Sequence, residues 1–520
     1  MILFTDYRRR GAHATLMLML FAVMAPPAQA SLFAEPYAVD RGFAGGTFTD
    51  DAFASVLTDP NKTFIGKKII QLNGDIVVAA LVKHPNSNQS NAYWNLGLVR
   101  YNASGTQRLT WSNPASSYAH YLDQYLVYPN NASATISEVV DMRTINQKIY
   151  VLVNDQFTAA SATTVSKVLV FGADGSFISS TIPFSAATST PGDTSNTGGG
   201  LATYTDIVAN KRFLVVTATR FVPANGGRGR PVFRRFELGA TGDLAASPGT
   251  VELNTSACWN PAWECRARAI EANSLYSPEF YVAFAYRPNG TTPDWNVVVS
   301  RIDVNGNGDP TWDPNNINWN IADGGDGRDW PMGLEVVTPP SAGAFRDDLY
   351  LVTESARNCQ SGVGVLRFNH DGGVVTSRLY GGDISTGQAC NGNSRRFDRP
   401  QAIVANASNT STLNTRLAIV GYTGISLVVG PPTNATLTVF DANLAIRDSR
   451  DYRYPLNRTS NFGDRLPALY GAVSNGNGSF TATGGLTYPG YTDVPVNLRD
   501  KSTVTVVRFA SDRIFGNGLE

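Results

Sequence analysis

The chain is 520 residues long, 42% apolar and only 16% charged, and its 42 basic residues are balanced by 42 acidic ones. That balance excludes an intrinsically disordered chain, which needs low hydrophobicity and high net charge. It also leaves no basic excess to hold nucleic acid or an anionic membrane. The 48 Gly and 28 Pro stand among short runs rich in Thr, Val, Tyr and Phe, which points to many short strands joined by turns.

In chain order the first element is an export signal over residues 1–30. Arg8, Arg9 and Arg10 form a positive region, Ala14–Ala25 an apolar one, and Pro26 and Pro27 end it before the small-x-small pattern Ala28-Gln29-Ala30. The apolar run is too short to cross ~30 Å of hydrocarbon, and no later segment reaches a membrane-spanning length. The mature chain is therefore expected in the periplasm, at the cell surface or outside a Gram-negative cell.

From there to residue 511 the sequence keeps time. A landmark of apolar residues, often an Arg, then an Asn/Asp/Gly turn recurs as LGLVRYNASG (Leu96–Gly105), KVLVFGADG (Lys167–Gly175) and VFRRFELGATG (Val232–Gly242). It returns as VVVSRIDVNG (Val297–Gly306), GVLRFNHDG (Gly364–Gly372), TLTVFDANL (Thr436–Leu444) and VTVVRFASD (Val504–Asp512). The equivalent positions Arg100, Val170, Arg235, Arg301, Arg367, Val439 and Arg508 are 65 to 72 residues apart. An apolar strand such as NGDIVVAALV (Asn73–Val82) or DDLYLVT (Asp347–Thr353) precedes each landmark, and shorter runs such as GLEVV (Gly333–Val337) and PQAIV (Pro400–Val404) precede several of those. Each unit reads as three or four antiparallel strands that cannot bury both faces alone. The expectation is an all-β, single-domain β-propeller of about seven blades over residues 31–511, with an open β-solenoid as the alternative. Ser185–Gly200 and Asn225–Arg230 read as long loops.

The first unit resembles the delta-60 repeat, an exported bacterial family of propeller type. Asp40–Gly46 in VDRGFAGGTFT is close to the family's Asp-x-x-Phe-Gly-x-Gly opening, with Ala44 where Gly is usual, and the unit ends Val99-Arg100-Tyr101-Asn102-Ala103-Ser104-Gly105. SRIDVNGNGDPTWD (Ser300–Asp313) in the fourth unit is similar to the family's Arg-φ-Asn-x-Asp-Gly followed by Asp-x-x-Phe. The resemblance implies architecture and carries almost no functional meaning. DRIFGNGLE (residues 512–520) is similar to the aromatic–Gly–acidic tail of many exported gammaproteobacterial proteins.

Four cysteines follow the signal: Cys258, Cys265, Cys359 and Cys390. An oxidising destination favours disulfides, and of three possible connectivities the local pairs Cys258–Cys265 and Cys359–Cys390 are expected because each staples a loop within adjacent units. Their spacing is not that of a zinc site. Asp303, Asn305, Asn307 and Asp309 place oxygens at alternate positions, as a calcium loop does, although Pro314 stands where a bidentate Glu is wanted. The same residues are also explained as a hairpin turn. Calcium is the one cofactor the sequence suggests.

A second set follows the repeat. Arg328-Asp329, Asp398-Arg399 and Asp464-Arg465 each precede an inner strand, with Arg266 or Arg268 one unit earlier. On a closed ring they converge near one channel mouth, where Arg328, Arg399 and Arg465 would bind an anion and Asp329, Asp398 and Asp464 are the candidate catalytic acids. The competing reading is that these ion pairs tie blades together. Only His84, His120 and His370 follow the signal, and neither a Gly-x-Ser-x-Gly elbow nor His-Glu-x-x-His is present. Trp259–Trp263 (WNPAW) forms an aromatic loop between two cysteines, either a sugar or protein contact or a packed plug. With no recognisable catalytic set, the leading expectation is a monomeric, secreted, non-catalytic binding or scaffold protein for an unknown protein or glycan. The alternative is a propeller hydrolase acting on glycans or esters.

Overall fold

The seven apolar runs that precede the landmarks become the second strands of seven antiparallel sheets in the computed structural model. The structure describes residues 37–39, 43, 64–83, 94–106, 134–157, 164–184, 195–222, 228–246, 251–253, 258, 263–273, 279–287, 295–312, 328–338, 347–357, 360–381, 397–406, 415–424, 432–452, 466–476, 478–487 and 502–511. Cys359, Cys390, Asp464, Arg465 and Trp259, the export signal and the tail lie outside them. Among the described residues every regular element longer than one residue is a strand, and no helix is long and apolar enough to cross a membrane.

The sheets are the blades of a seven-bladed β-propeller. Their innermost strands are, in order, Phe64–Leu72, Ala134–Ile145, Ser195–Asp206, Glu264–Ala272, Arg328–Val337, Phe397–Asn406 and Leu466–Ser474. Each landmark is the third strand of its blade, hydrogen-bonded to the second. Blades 1 and 4 have three described strands; in blade 7 the fourth is Tyr37–Val39, from the other end of the chain. That pairing closes the ring, since one blade now holds both ends of the described chain. Apolar clusters fill the interfaces between successive blades, for example Val404, Ala418, Leu437, Leu469 and Phe480 between blades 6 and 7.

Two stretches depart from the sequence reading. Ser195–Gly200 and Arg228–Arg230, expected in loops, begin the inner and third strands of blade 3. Glycine is tolerated in that inner strand because neighbours leave no room for a side chain: a Cβ on Gly198 would lie 2.9 Å from Leu152, and one on Gly199 2.8 Å from Ala267.

The Asn/Asp/Gly turns have one recurring construction. The Oδ1 of Asn102, Asp303 and Asp441 accepts backbone N–H groups two and four residues on, at 2.8–3.0 Å. Gly105, Gly175, Gly242, Gly306 and Gly372 then adopt positive φ of 82° to 85°, which favours glycine. Asn307 Nδ2 also donates to Asp303, and Asp309 bonds Arg301 and Thr311, so both carboxylates considered for calcium are engaged in the turn. Among the described residues no cluster of three or more His, Cys, Asp or Glu could hold a metal.

The recurring Arg reaches into the next blade's turn. Arg100 Nη1 donates to the Ala173 carbonyl at 3.0 Å, Arg301 Nη1 to that of His370 at 3.3 Å and Arg367 Nη1 to Asn443 Oδ1 at 2.8 Å. Arg508 donates to the Ala103 carbonyl, joining blade 7 to blade 1. A tyrosine of the second strand makes a similar hold in blades 2 and 5, Tyr150 Oη donating to the Gly242 carbonyl at 2.9 Å and Tyr350 Oη to that of Ala442 at 3.0 Å. Arg301→Met should therefore lower stability by about 2 kcal/mol, because buried charge-assisted bonds to Asp309 and to blade 5 go together; urea unfolding followed by tryptophan fluorescence measures it.

Cys258 and Cys265 are disulfide-bonded, as expected from their spacing. The Cys258 carbonyl accepts a 2.8 Å bond from Arg230, and both cysteines pack with Tyr286 and Phe284. The two cysteines are 7 residues apart in sequence, and loop-closure entropy makes so short a link worth about 2.5 kcal/mol. The Cys258→Ala/Cys265→Ala double variant should unfold at correspondingly lower urea.

Candidate active site in the central channel

A regular strand turns alternate side chains to opposite faces, yet each innermost strand here slips once or twice. The register breaks at Lys67, Ser137 and Val140, Gly199, Arg268, Met332, Gln401 and Tyr470. An extra residue leaves the ladder and bends its strand, and these residues form a ring around the axis. All but Gly199 line a chamber of about 150 Å³. Towards the strands' C-terminal ends the channel widens to about 510 Å³. Lys68 and Arg268 line both chambers and stand at the waist between them.

Six charged side chains line the wide chamber: Lys68, Asp141, Arg143, Arg268, Glu271 and Glu335. Three residues beyond the bulge, four of the seven inner strands carry an apolar Ile70, Ala202, Val404 or Val473, of which Ile70, Val404 and Val473 line the cavity. Blades 2, 4 and 5 carry Arg143, Glu271 and Glu335 at that level, and all three face the cavity. Arg143 Nη2 donates to Glu271 Oε1 and lies 3.4 Å from Asp141 Oδ2, while its Nε donates to the Leu201 carbonyl at 3.0 Å. Asp141 is fixed by the backbone N–H groups of Met142 (2.8 Å) and Leu201 (2.9 Å). Glu335 accepts the Ala405 N–H at 3.1 Å from blade 6.

The surroundings set the protonation of the two acids. Glu271 is enclosed by protein although its side chain retains 19% exposure to the cavity. Burial pushes its carboxyl up to about 7, and the Arg143 charge opposes that shift. Burial and the nearby Glu271 charge push Glu335 up to about 8, opposed by the Ala405 N–H and Arg143. Asp141 and Glu271 hold Arg143 above its ordinary value against the effect of burial. At the waist burial lowers the Lys68 ammonium, and Lys67, its Nζ 3.6 Å from the Tyr470 ring centroid, falls to about 8.

The residues expected at the mouth are placed differently from these. Arg328, 42% exposed, bonds Glu354 at 2.6 Å, and Arg399 lies 3.4 Å from the same carboxylate, so this acid bridges blades 5 and 6. Arg266 and Arg287 share Glu264 at 2.7 and 2.6 Å beside Trp295. Asp329, consecutive with Arg328, is fully buried and its N–H bonds the Trp295 carbonyl at 2.7 Å. Asp398, 5% exposed, packs against Gly381 at the end of blade 5, and its carbonyl accepts from Ser361 at 3.3 Å. Neither aspartate lines the two chambers. Glu271 and Glu335 escaped the sequence reading because no local motif marks them. The signal was a charge inside an otherwise apolar inner strand, as in ARAIEA and GLEVV.

No family model and no curated protein matches the chain. Its fold is similar to that of a phage phi92 endosialidase, with 9% identity over 92% of this chain and 69% of that one and a TM-score of 0.39. It is also similar to the polysaccharide lyase Uly1 (11% identity, 92% of this chain and 94% of that one, TM-score 0.41). A third is a xylan β-1,4-xylosidase from Bacillus halodurans C-125 (10% identity, 89% and 98%, TM-score 0.30). All three are named as enzymes acting on glycans, a finding that stands against the leading expectation of a non-catalytic binding or scaffold protein and on the side of its alternative. The acids of this channel come from separate blades, and no local motif spans them.

Proposed function

We propose that the chain is an exported glycan-cleaving propeller enzyme, built from repeats of the delta-60 kind, whose active site is the wide chamber. The observation that carries this reading is the pair Glu271 and Glu335, at one level of adjacent inner strands, both pushed by burial into the neutral range. Glycosidic cleavage needs one carboxylic acid to protonate the leaving oxygen and one carboxylate to act as base or nucleophile. Arg143 favours the ionised form of Glu271, and the resulting charge favours the protonated form of Glu335. Glu335 is accordingly the proton donor and Glu271 the carboxylate. Arg143 holds Glu271 in place and is itself positioned by Asp141 and the Leu201 carbonyl. The cavity of about 510 Å³ has the size of sites that take small ligands or a few sugar units.

The test is turnover of a polysaccharide panel by purified protein, followed by reducing ends and by absorbance of unsaturated products, with ester substrates in parallel. Release of reducing ends that disappears in both Glu271→Gln and Glu335→Gln is the expected result. Turnover that survives both substitutions would sink the assignment.

A further inference from the structure

The waist presents an imbalance that the acid pair does not use. Lys67 and Lys68 of blade 1 face Arg268 of blade 4 across the channel, and all three line the narrow chamber. Among the described residues none of the three has a carboxylate within salt-bridge distance, and Arg268 Nε, though buried, has no hydrogen-bond partner. The mouth differs: Arg266, Arg287, Arg328 and Arg399 all share the carboxylates of Glu264 or Glu354. The acids whose charge reaches Lys68 make their hydrogen bonds to neutral groups rather than to the three cations, Glu138 accepting from Asn154 at 2.9 Å and Asp141 from two backbone N–H groups. Two of the cations rest on aromatic rings, Lys67 on that of Tyr470 and the Arg268 guanidinium 4.8 Å from the Trp330 centroid. Glu138 is the one carboxylate lining the narrow chamber with them, and enclosing three positive groups against a single negative one is costly unless a further anion completes the site.

We infer that the waist is an anion subsite, and that the glycan carries carboxylate or sulfate groups, one of which sits between Lys67, Lys68 and Arg268. The inference rests on the channel being the active site. A uronate or sulfated residue held there presents its neighbouring linkage to Glu271 and Glu335, one level further along the inner strands of blades 4 and 5. Arg268 and Glu271 share a strand three residues apart and line one cavity, because the bulge at Arg268 breaks the alternation.

Binding decides this without relying on turnover. Wild-type protein is titrated by calorimetry with polygalacturonate, with its carboxyl-reduced neutral counterpart and with chondroitin sulfate, at 50 and 500 mM NaCl. At least one polyanion should bind at least ten-fold more tightly than the neutral polymer and weaken ten-fold in high salt, and the two polyanions distinguish carboxylate from sulfate. Lys68→Gln and Arg268→Gln should each weaken that binding about ten-fold, whereas Lys68→Arg should retain it. Equal affinity for charged and neutral polymers would overturn the subsite, and so would unchanged polyanion binding by the folded Lys68→Gln/Arg268→Gln protein. Should the variants fail to fold, the wild-type ratio of polyanion to neutral affinity decides alone. Cleavage of a neutral glycan with the same KM in wild type and Lys68→Gln sinks the subsite and leaves the acid pair standing. Polyanion binding with no cleavage does the reverse.

Discussion

Glu335→Gln should lower kcat on any cleaved glycan by ~10³-fold, within the range that a positioned general acid supplies. The amide keeps the size of the side chain and can still face the Ala405 N–H, so folding and KM should change little. Glu271→Gln should be similarly inactive by a different route, since Arg143 would lose its partner and the carboxylate role would be vacant. In wild type, activity requires Glu335 protonated and Glu271 ionised. The alkaline limb should fall as pH rises through about 8, and the acid limb as pH falls through about 7, giving a narrow bell. The groups facing Glu335 are Glu271, Arg143 and the Ala405 N–H, so these limbs belong to the pair rather than to either acid.

The same burial has a stability consequence of definite sign. A free Glu titrates near 4.3, and folded Glu335 is raised to about 8. The folded state therefore holds the extra proton between those values, and stability is full below about 4.3 and lost as pH rises through about 8. Each tenfold gain in proton affinity on folding is worth at most roughly 1.4 kcal/mol. Glu335→Gln removes that titration. Its melting temperature should exceed the wild type's at pH 9 and match it at pH 4, a difference that differential scanning calorimetry resolves. Equal pH dependence in the two proteins would mean that the carboxyl is not perturbed.

The blades were legible in the sequence because what makes them is local. Alternating apolar residues give the strands, Asn102, Asp303 and Asp441 build the turns from their own side chains, and the landmark Arg of blades 1, 4, 5 and 7 makes the same hold on the next blade. The local pairing of Cys258 with Cys265 followed from the same short range. The channel was not legible in this way. Glu271 and Glu335 are 64 residues apart and meet only because adjacent inner strands stand side by side. The bulges compound the problem: strict alternation assigns Arg268 and Glu271 to opposite faces, and the extra residue cancels that assignment. Attention to the Asp–Arg pairs led to the N-terminal ends of the inner strands of blades 5 and 6. It stopped at Arg328 and Arg399, which join blades 5 and 6 through Glu354, short of the acids further along.

The bulges also locate the backbone positions least tolerant of change. Gly421 faces Pro400 and Gly484 faces Leu469, each immediately before the bulged residue of its inner strand, Gln401 or Tyr470. At both places the carbonyl two residues before the bulge leans over the glycine. A Cβ on Gly421 would lie 2.1 Å from the Arg399 oxygen, and one on Gly484 1.7 Å from that of Ala468. The obstacle is backbone, so no rotamer change relieves it, and the inner strand must move. Gly421→Ala and Gly484→Ala should each cost more than about 4 kcal/mol, the range of severe core disruption, with loss of the cooperative urea transition as the extreme outcome. Gly74→Ala is the informative contrast. Its φ of 80° disfavours alanine, but nothing lies within 4 Å of the added carbon, so its cost should be about 1–2 kcal/mol. Variants folded well enough to assay should bind glycan less tightly before they lose catalysis, because Gln401 and Tyr470 line the narrow chamber and the acids stand beyond it. Gly421→Ala and Gly74→Ala proteins of equal stability would show that the bulged strands are free to shift, and the rigid waist would have to be abandoned.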